Sequence, residues 1–364
     1  MKGERGEYSL RTVVMYYINP NVNNLNRIFD QNSREGFLRL DLNENPGGLP
    51  AEFIKKTLSD IDTEFVAKYP ETEEQQATIA KHAEVKPENI CLTNGSTEAI
   101  RHTIEAYTRP GGKIVSVTPA YAMYEVYANM YGRVHVPVPY KKGFKMDAND
   151  ILDHLSDDVD MVVIQNPNNP IGDTFTTDEV KKIIDKAREH EIFVLIDEAY
   201  YYFNPTTLVD FAIKYDHVIL TRTFSKLFSL AGARLGYAIG QKEEISMIQK
   251  LCSPHNVNAF ALKFATEIIE TPGMIDNLVS IANEGKTYLI DSLRENGYFV
   301  NESNGNFVFI ETKTDAAKVV EALKDRKILT KFYKLEDEKK YLRVTIGSKE
   351  LMSQFLKELF EVDK

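Results

Sequence analysis

The sequence predicts an α/β protein in which a large domain carries a mostly parallel β-sheet and a smaller α/β domain follows it. Its 364 residues are more than one hydrophobic core normally supports. Between about residues 90 and 240, short apolar runs alternate with charged segments of helical period. This alternation ends near residue 245. We therefore expect an N-terminal arm over residues 1–45, a large domain over 46–250 and a small domain over 251–364 that packs with the arm.

The first 40 residues are irregular and rich in Asn and Arg, which is typical of an arm with at most one helix. Six apolar runs then have the length and composition of buried strands. Strands that are apolar almost throughout must be covered on both faces, as in parallel sheets. The predicted strands are Asn89–Thr93, Lys113–Val117, Arg133–Val138, Met161–Gln165, Ile192–Ile196 and His217–Thr221.

Helices are expected between these strands, at 96–107, 177–189 and 208–214, with Thr176 or Thr177 as the N-cap of the second. After residue 245 a long helical stretch comes first. The small domain then follows as two strands, each leading into a helix. These elements are Asn306–Glu311, Thr314–Asp325, Tyr341–Ile346 and a terminal helix from Lys349.

Composition restricts the possible partners. The net charge of −10 argues against nucleic acid, whose phosphates an acidic surface repels. No apolar stretch approaches the roughly 20 residues of a membrane span, and the N-terminus lacks a signal-peptide pattern. Two distant cysteines do not make a disulfide framework and favour a reducing, cytoplasmic setting. The seven histidines form no short-range metal motif, so no metal is expected.

Polar clusters follow four of the predicted strands. The carboxyl ends of strands in an open α/β sheet form its ligand-binding edge, so the four clusters predict one site. The clusters are Asn94-Gly-Ser-Thr-Glu98, Asn166-Pro-Asn-Asn-Pro-Ile-Gly172, Asp197-Glu-Ala-Tyr200 and Arg222-Thr-Phe-Ser-Lys226.

Part of this site suits a phosphate. Ser96 and Thr97 open a helix, whose free backbone N–H groups and positive dipole end favour an anion. Thr223 and Ser225 add hydroxyl groups, and Arg234 adds a fixed cation.

The remaining residues suit an aromatic cofactor. Lys226, partly desolvated after a buried strand, could supply the neutral amine that a Schiff base requires. Asp197 could pair with a protonated pyridine nitrogen, Tyr200 and Asn169 with a ring hydroxyl, and Tyr121 could stack on the ring. Each residue alone also fits a structural role. Together, in this order, they predict pyridoxal 5′-phosphate (PLP) bound covalently to Lys226.

The same motifs resemble a known family. The order NGS-x-E-A, P-x-Y-x-M-Y, NPNNP-x-G, DEAY and RTFSK-x-x-x-LAG-x-R-x-GY is similar to that of fold-type I PLP enzymes, and more narrowly of histidinol-phosphate aminotransferases, which are class I/II aminotransferases. The resemblance extends from about residue 38 to the C-terminus. Further matching segments are Asp41–Pro46, Tyr69-Pro70, Ser253–Asn258, Asn304–Val308 and Leu342–Gly347. It implies a seven-stranded sheet in the large domain.

The resemblance also implies roles for matching residues. Lys226 would shuttle a proton between the substrate Cα and the cofactor carbon C4′, and the residues above would hold the cofactor. Tyr69 would reach the cofactor phosphate of a neighbouring subunit, which implies a homodimer with shared sites. Arg343 would bind a substrate carboxylate. Lys331 occupies the position at which the family usually has an arginine that binds a substrate phosphate. A lysine cannot form the two parallel hydrogen bonds that an arginine forms with a phosphate.

Three functions remain open at this point. The leading expectation is an aminotransferase that moves an amino group from glutamate to a small, phosphorylated carbonyl compound. The alternative is a PLP-dependent decarboxylase of phosphoserine or phosphothreonine type. A non-enzymatic PLP-fold regulator would usually carry a DNA-binding domain, and the chain has no basic helix-turn-helix extension.

Overall fold

The computed structural model describes residues 17–25, 33–140, 144–335 and 339–364. Most of the predicted N-terminal arm lies outside these residues. The described strands are β1 Leu38–Arg39, β2 Ile90–Thr93, β3 Lys113–Thr118, β4 Val134–Pro139, β5 Val159–Gln165, β6 Phe193–Asp197, β7 Val218–Thr223, β8 Gly236–Ile239, β9 Phe299–Val300, β10 Phe307–Glu311, β11 Ile328–Leu329, β12 Lys331–Lys334 and β13 Lys340–Thr345.

The helices predicted at 96–107, 177–189, 208–214 and 314–325 are present within two residues of their predicted bounds. Thr176 is the N-cap of α8, and it forms a capping box with Glu179. The helices are α1 Pro20–Asn23, α2 Ala51–Ser59, α3 Thr63–Ala67, α4 Glu73–His82, α5 Ser96–Tyr107, α6 Met123–Met130, α7 Ala148–Leu152, α8 Thr177–Glu189, α9 Val209–Lys214, α10 Lys242–Leu251, α11 Ala259–Glu270, α12 Met274–Glu295, α13 Ala316–Asp325 and α14 Lys349–Val362, with 3₁₀ turns at Pro87–Asn89 and Tyr201–Phe203.

A seven-stranded sheet in the order β2-β8-β7-β6-β5-β3-β4 forms the centre of the molecule. The pairs among β3 to β7 are parallel, whereas β8 runs antiparallel to both of its neighbours. The prediction of a mostly parallel sheet is confirmed, and so are its six predicted strands. The seventh, β8, was not predicted.

Both faces of this sheet are buried, as the apolar composition of its strands requires. In β5, Val162 and Ile164 pack into one hydrophobic core, while Met161 and Val163 pack into another on the opposite face. Helix α11 also buries Ala261, Leu262, Ala265 and Ile268 in the first of these cores.

A second sheet, in the order β12-β13-β10-β9, is antiparallel and has its own core with α12, α13 and α14. Leu40, directly after β1, is part of this core, and β1 pairs with β11. The long helical stretch expected after residue 245 consists of three helices, α10, α11 and α12. Cys252 and Thr271 end the first two with extended backbone.

None of the described helices is both long enough and apolar enough to cross a membrane.

Candidate active site

A cavity of about 370 Å³ lies at the carboxyl edge of the large sheet, beside β12 and β13. It gathers every predicted cofactor residue except Tyr69, together with Arg343, Lys331 and Asn169, which are predicted to bind substrate. The lining is Leu42, Asn43, Ser96, Thr97, Ala120, Tyr121, Ala122, Gln165, Asn169, Asp197, Ala199, Tyr200, Thr223, Ser225, Lys226, Arg234, Lys331, Tyr333 and Arg343.

One end of the cavity is formed by the N-terminus of α5. Its N-cap, Gly95, has φ of +75°, and a Cβ there would lie 2.5 Å from Arg234 Nη2. A Cβ at Gly236 of β8 would lie 2.2 Å from the backbone nitrogen of Ser96. Both glycines therefore allow the turn to approach its neighbours closely. This leaves backbone N–H groups, a guanidinium group and hydroxyl groups at one point.

Hydroxyl groups at the end of β7 and directly after it complete this end. The backbone N–H of Ser225 donates to Thr223 Oγ1 at 3.1 Å, and Arg234 Nη1 donates to Ser225 Oγ at 3.2 Å. In the first turn of α5, Thr97 Oγ1 lies 3.1 Å from the hydroxyl oxygen of Tyr121. The set of donors matches the oxygens of a phosphate group.

Asp197, at the end of β6, is 1% exposed. Its Oδ2 accepts from the Tyr124 hydroxyl at 2.6 Å, and its Oδ1 accepts from the backbone N–H of Ala199 at 3.0 Å. Burial raises the pKa of the Asp197 carboxyl group, and the hydrogen bond from Tyr124 opposes this shift. The groups that donate hydrogen bonds to this carboxylate among the described residues are all neutral, and Gln165 and Thr221 complete the set. A cation entering the cavity would therefore find a buried, oriented acceptor.

Lys226 is half-buried, and its Nζ donates to the backbone oxygen of Leu42 at 3.3 Å. The same nitrogen lies 5.6 Å from the centre of the Tyr200 ring. Burial, followed by the positive charge of Arg343, lowers the pKa of the Lys226 amine from 10.5 to about 8. Roughly a tenth of the amine is thus neutral at pH 7, against less than about a thousandth for an ordinary lysine, and nucleophilic lysine chemistry requires this neutral form.

Asn43 connects the two sides of the cavity. Its side-chain nitrogen donates to the Tyr200 hydroxyl at 2.9 Å and to Asn169 Oδ1 at 3.2 Å. Asn169 Oδ1 also accepts from Arg343 Nη1 at 3.0 Å, and the Asn169 backbone N–H donates to Gln165 Oε1 at 2.9 Å. Tyr200 and Asn169 are thereby held as one hydrogen-bonded group.

Sequence reasoning assigned no site role to Asn43, Tyr124, Gln165 or Tyr333. Asn43 and Tyr124 lie in two of the matching motifs, Asp41–Pro46 and Pro119–Tyr124, so the sequence did contain an indication of their roles. Gln165 ends a predicted strand. Its side chain resembles any other end-of-strand polar group until the fold brings it to Asn169 and Asp197.

Tyr69 lies outside the cavity of its own chain. It is 78% exposed, and its ring stacks on that of His255 at 4.5 Å between centroids. The role predicted for it, in the site of a neighbouring subunit, stays a prediction, as do the individual roles of the cavity residues.

The cavity residues fit PLP in three independent ways. The donor set around Gly95 suits its phosphate, the buried carboxylate of Asp197 suits its protonated ring nitrogen, and the Lys226 amine suits its aldehyde. Ser96, Thr97, Thr223, Ser225 and Arg234 would hold the first group, and Tyr200 and Asn169 would contact the ring oxygen.

Comparisons with known proteins agree with this geometry. Residues 35–359 match the family model for aminotransferase class I and II. The histidinol-phosphate aminotransferase of Thermoanaerobacter sp. (strain X514) is 31% identical over 328 residues, which cover 89% of this chain and 92% of the relative. That of Methylibium petroleiphilum is 32% identical over 320 residues, covering 86% and 85%.

Solved structures share the fold. The histidinol-phosphate aminotransferase of Sinorhizobium meliloti in complex with pyridoxal-5′-phosphate superposes with a TM-score of 0.85 at 19% identity, covering 96% of this chain and 98% of the other. The enzyme from Clostridium acetobutylicum gives a TM-score of 0.78 at 26% identity, covering 90% and 99%. The curated relatives are aminotransferases, which does not favour the decarboxylase alternative. The chain therefore belongs to the class I and II aminotransferase family and is a PLP-dependent transaminase.

Proposed function

We propose that this transaminase moves an amino group from glutamate to a small, phosphorylated carbonyl compound. The names of the curated relatives support a phosphorylated substrate. The observation that carries the proposal is the position of Arg343, a buried cation in the same cavity as the Lys226 amine.

Arg343 is 3% exposed, and its guanidinium group donates to Asn169 Oδ1 and to the backbone oxygen of Asp41. Its Nε is buried without a hydrogen-bond partner among the described residues. A buried guanidinium group that lacks a carboxylate is costly, so a ligand carboxylate would gain both charge and hydrogen bonds. We assign Arg343 to the α-carboxylate of glutamate.

We assign proton transfer at the substrate Cα to Lys226. PLP, when bound, supplies a cationic conjugated ring that withdraws electrons from this carbon. The amine of Lys226, with its lowered pKa, is suited to take the Cα proton and to return it as an acid. Asp197 would hold the ring nitrogen in its protonated form, and Tyr121 would pack against the ring.

Glutamate should convert the wild-type enzyme from its lysine-linked spectrum to the pyridoxamine spectrum in a single half-reaction. Arg343→Ala should weaken glutamate binding in this reaction by about 10- to 100-fold, because hydrogen bonds to charged groups contribute about 1.5–3 kcal/mol. Arg343→Lys should recover part of the lost glutamate affinity, because lysine keeps the positive charge but cannot form the paired hydrogen bonds of a guanidinium group. Stopped-flow absorbance measures the apparent dissociation constant.

Arg326→Ala is the matched control, because Arg326 pairs with Glu358 outside the cavity. Its glutamate affinity should equal that of the wild type. Equal affinities for Arg343→Ala and wild type would overturn the assignment. Release of CO₂ from phosphoserine or phosphothreonine, without the pyridoxamine spectrum in glutamate, would favour decarboxylation instead.

We assign the phosphate of the acceptor to the β12 side of the cavity, where Lys331 and Tyr333 lie in the lining. Lys331 is exposed, so it can meet an anion that enters from solvent. A lysine presents a single positive charge and cannot form the paired hydrogen bonds of an arginine. We therefore expect it to bind a phosphate dianion weakly, at the entrance of the cavity.

Lys331→Ala should raise KM for phosphorylated acceptors by about fivefold, the effect expected for an exposed ion pair of up to about 1 kcal/mol. The KM for unphosphorylated analogues should not change. A screen of keto and aldehyde phosphates with glutamate as donor, run in parallel on both proteins, measures the difference. An equal change for both acceptor classes would remove Lys331 as a phosphate ligand.

We propose a homodimer in which Tyr69 completes the site of the second subunit. The exposure of Tyr69 and of the nearby apolar side chains Val66 and Phe260 supports a covered surface here. Light scattering should give twice the mass of 41.5 kDa. Inactive Lys226→Ala and Tyr69→Ala proteins, mixed after dissociation, should regain activity, because one hybrid site keeps both native residues. A monomeric mass, or no recovery in the hybrids, would contradict shared sites.

We also propose the division into an arm over 1–45, a large domain from 46 and a small domain that ends at 364, supported by the separate cores of the two sheets. Helix α11 packs in the core of the large sheet, so the boundary would lie after this helix and not at the expected residue 250. The two cysteines are free thiols, which supports a reducing, cytoplasmic setting.

A further inference from the structure

A second cluster of ligating side chains lies outside the active-site cavity, on the far side of the first turn of α5. Glu98 and His102 are one helical turn apart on α5, and Cys252 follows the end of α10. One ligand atom from each residue lies within 4.8 Å of the other two. None of the three lines the active-site cavity.

His102 makes no hydrogen bond of normal length to the other members of this cluster. Its side chain is 7% exposed, and neither ring nitrogen has a hydrogen-bond partner in the described part of the chain. Its Nε2 lies 3.8 Å from Glu98 Oε1, and its Nδ1 lies 4.0 Å from Glu105 Oε2. A buried imidazole with two unsatisfied nitrogens is costly, and a cation between Nε2 and Glu98 would satisfy it.

Glu98 is oriented for the same purpose. Its Oε2 accepts from the backbone N–H of Asn94 at 2.7 Å and from the side chain of Asn256 at 2.8 Å. These bonds fix the carboxylate and leave Oε1 as the oxygen that faces His102. The carboxylate is thus arranged as a one-oxygen ligand.

A second sulfur is available from Cys91 on β2. Its Sγ lies 3.8 Å from the Sγ of Cys252, although the two residues are 161 positions apart in the sequence. Two thiolates on a tetrahedral zinc ion, each at ~2.3 Å, are ~3.8 Å apart. The two sulfurs already have this spacing, but Cys91 is not one of the three residues whose ligand atoms all lie within 4.8 Å of one another.

We propose that Glu98, His102 and Cys252 bind one Zn²⁺ ion, and that a change in the side-chain rotamer of Cys91 brings its sulfur in as the fourth ligand of a closed, structural site. Thiolate, imidazole and carboxylate in a tetrahedral set are the ligands of zinc. Glu105 Oε2 lies 4.0 Å from His102 Nδ1, and a small movement on zinc binding would let it accept from the ring and set its orientation, as carboxylates do behind zinc-bound histidines. The sequence expectation of no metal considered only short-range spacing, and this set joins β2, α5 and the end of α10.

The ion would also act on the active site through Glu98. Glu98 accepts from the backbone N–H of Asn94. Asn94 directly precedes Gly95, which is the N-cap of α5, and the N-terminus of α5 lines the cavity. Zinc would therefore stiffen the turn in front of the proposed phosphate site. This inference does not depend on the identity of the substrates.

The test uses the reduced, PLP-loaded enzyme after treatment with a chelator, titrated separately with Zn²⁺ and with Co²⁺. We expect one bound equivalent, measured by elemental analysis after gel filtration. Co²⁺ should give intense d–d absorption in the red, typical of tetrahedral thiolate ligation and away from the cofactor bands. Zn²⁺ should raise the thermal midpoint of the wild type.

Cys252→Ser and His102→Gln should each lose the bound equivalent, the Co²⁺ spectrum and the thermal shift. Glu105→Gln should weaken zinc affinity by about tenfold and keep the spectrum. His190→Gln is the matched control, because His190 pairs with Asp157 outside the cluster and its variant should bind metal as the wild type does. Retained cofactor absorbance shows that each variant is folded.

Three results would overturn the proposal. The first is a reduced wild-type protein that retains no zinc at micromolar concentration. The second is equal metal binding by the wild type and the Cys252→Ser and His102→Gln variants. The third is a Cys91–Cys252 disulfide in air, combined with no zinc binding after its reduction.

Discussion

Replacing Lys226 by alanine is expected to abolish the covalent link to PLP and to lower turnover by about 10⁴-fold, the upper end of a general acid–base contribution. The variant removes the amine whose pKa burial lowers to about 8, and with it the proton carrier beside the substrate Cα. Borohydride reduction followed by peptide mapping measures the link, and steady-state kinetics measure the rate.

Lys331→Ala is the control for Lys226→Ala, because both amines line the same cavity. It should keep the borohydride-stable link at residue 226. A normal rate in Lys226→Ala, or an adduct that maps to another lysine in the wild type, would contradict the role of Lys226.

The lowered pKa of Lys226 can be tested by the pH dependence of the rate at which this residue forms its covalent link to PLP. Only the neutral amine attacks the aldehyde, so the rate at which cofactor-free enzyme forms the link should rise with pH and level off above about 8. A phosphopyridoxyl analogue without the aldehyde should bind with no such transition. A midpoint near 10.5, the ordinary value for lysine, would show that neither burial nor Arg343 perturbs this amine.

The parallel part of the fold could be predicted because its strands are apolar throughout and its helices have clear caps. Strand β8 was missed because it has four residues, begins with Gly236 and lies inside a motif that was interpreted for its chemistry. Strand β12, Lys331–Lys334, has lysines at both ends and lies at the edge of its sheet, so it lacks the apolar signal of a buried strand.

The site could be predicted where its residues follow strands, because the carboxyl ends of parallel strands converge. The contacts that orient those residues could not be predicted from the sequence. Tyr124 reaches Asp197 across 73 positions, and Asn43 reaches Tyr200 across 157. A tyrosine on a helix facing the sheet has the pattern of an ordinary core residue. Only the folded core that α6 and β6 share brings its hydroxyl to the carboxylate.

Asp197→Asn should leave PLP bound and lower the rate by on the order of 10²–10³-fold, the loss typical of removing one preorganised electrostatic partner. The phosphate donors and Lys226 remain, so the affinity for the cofactor should change little. Asparagine is nearly isosteric and still accepts from Tyr124, but it carries no charge to hold a proton on the ring nitrogen. The ¹⁵N shift of labelled cofactor reports that proton directly, and kinetics report the rate.

Asp160→Asn is the matched control, since Asp160 is also a buried carboxylate but pairs with Arg109 away from the cavity. Its folded fraction should turn over at the wild-type rate, so a loss common to both variants would reflect stability alone. Tyr124→Phe should give a smaller loss than Asp197→Asn, because the carboxylate stays charged but loses its shortest hydrogen bond. A wild-type rate in Asp197→Asn, with the ring nitrogen still protonated, would mean that another group supplies the charge.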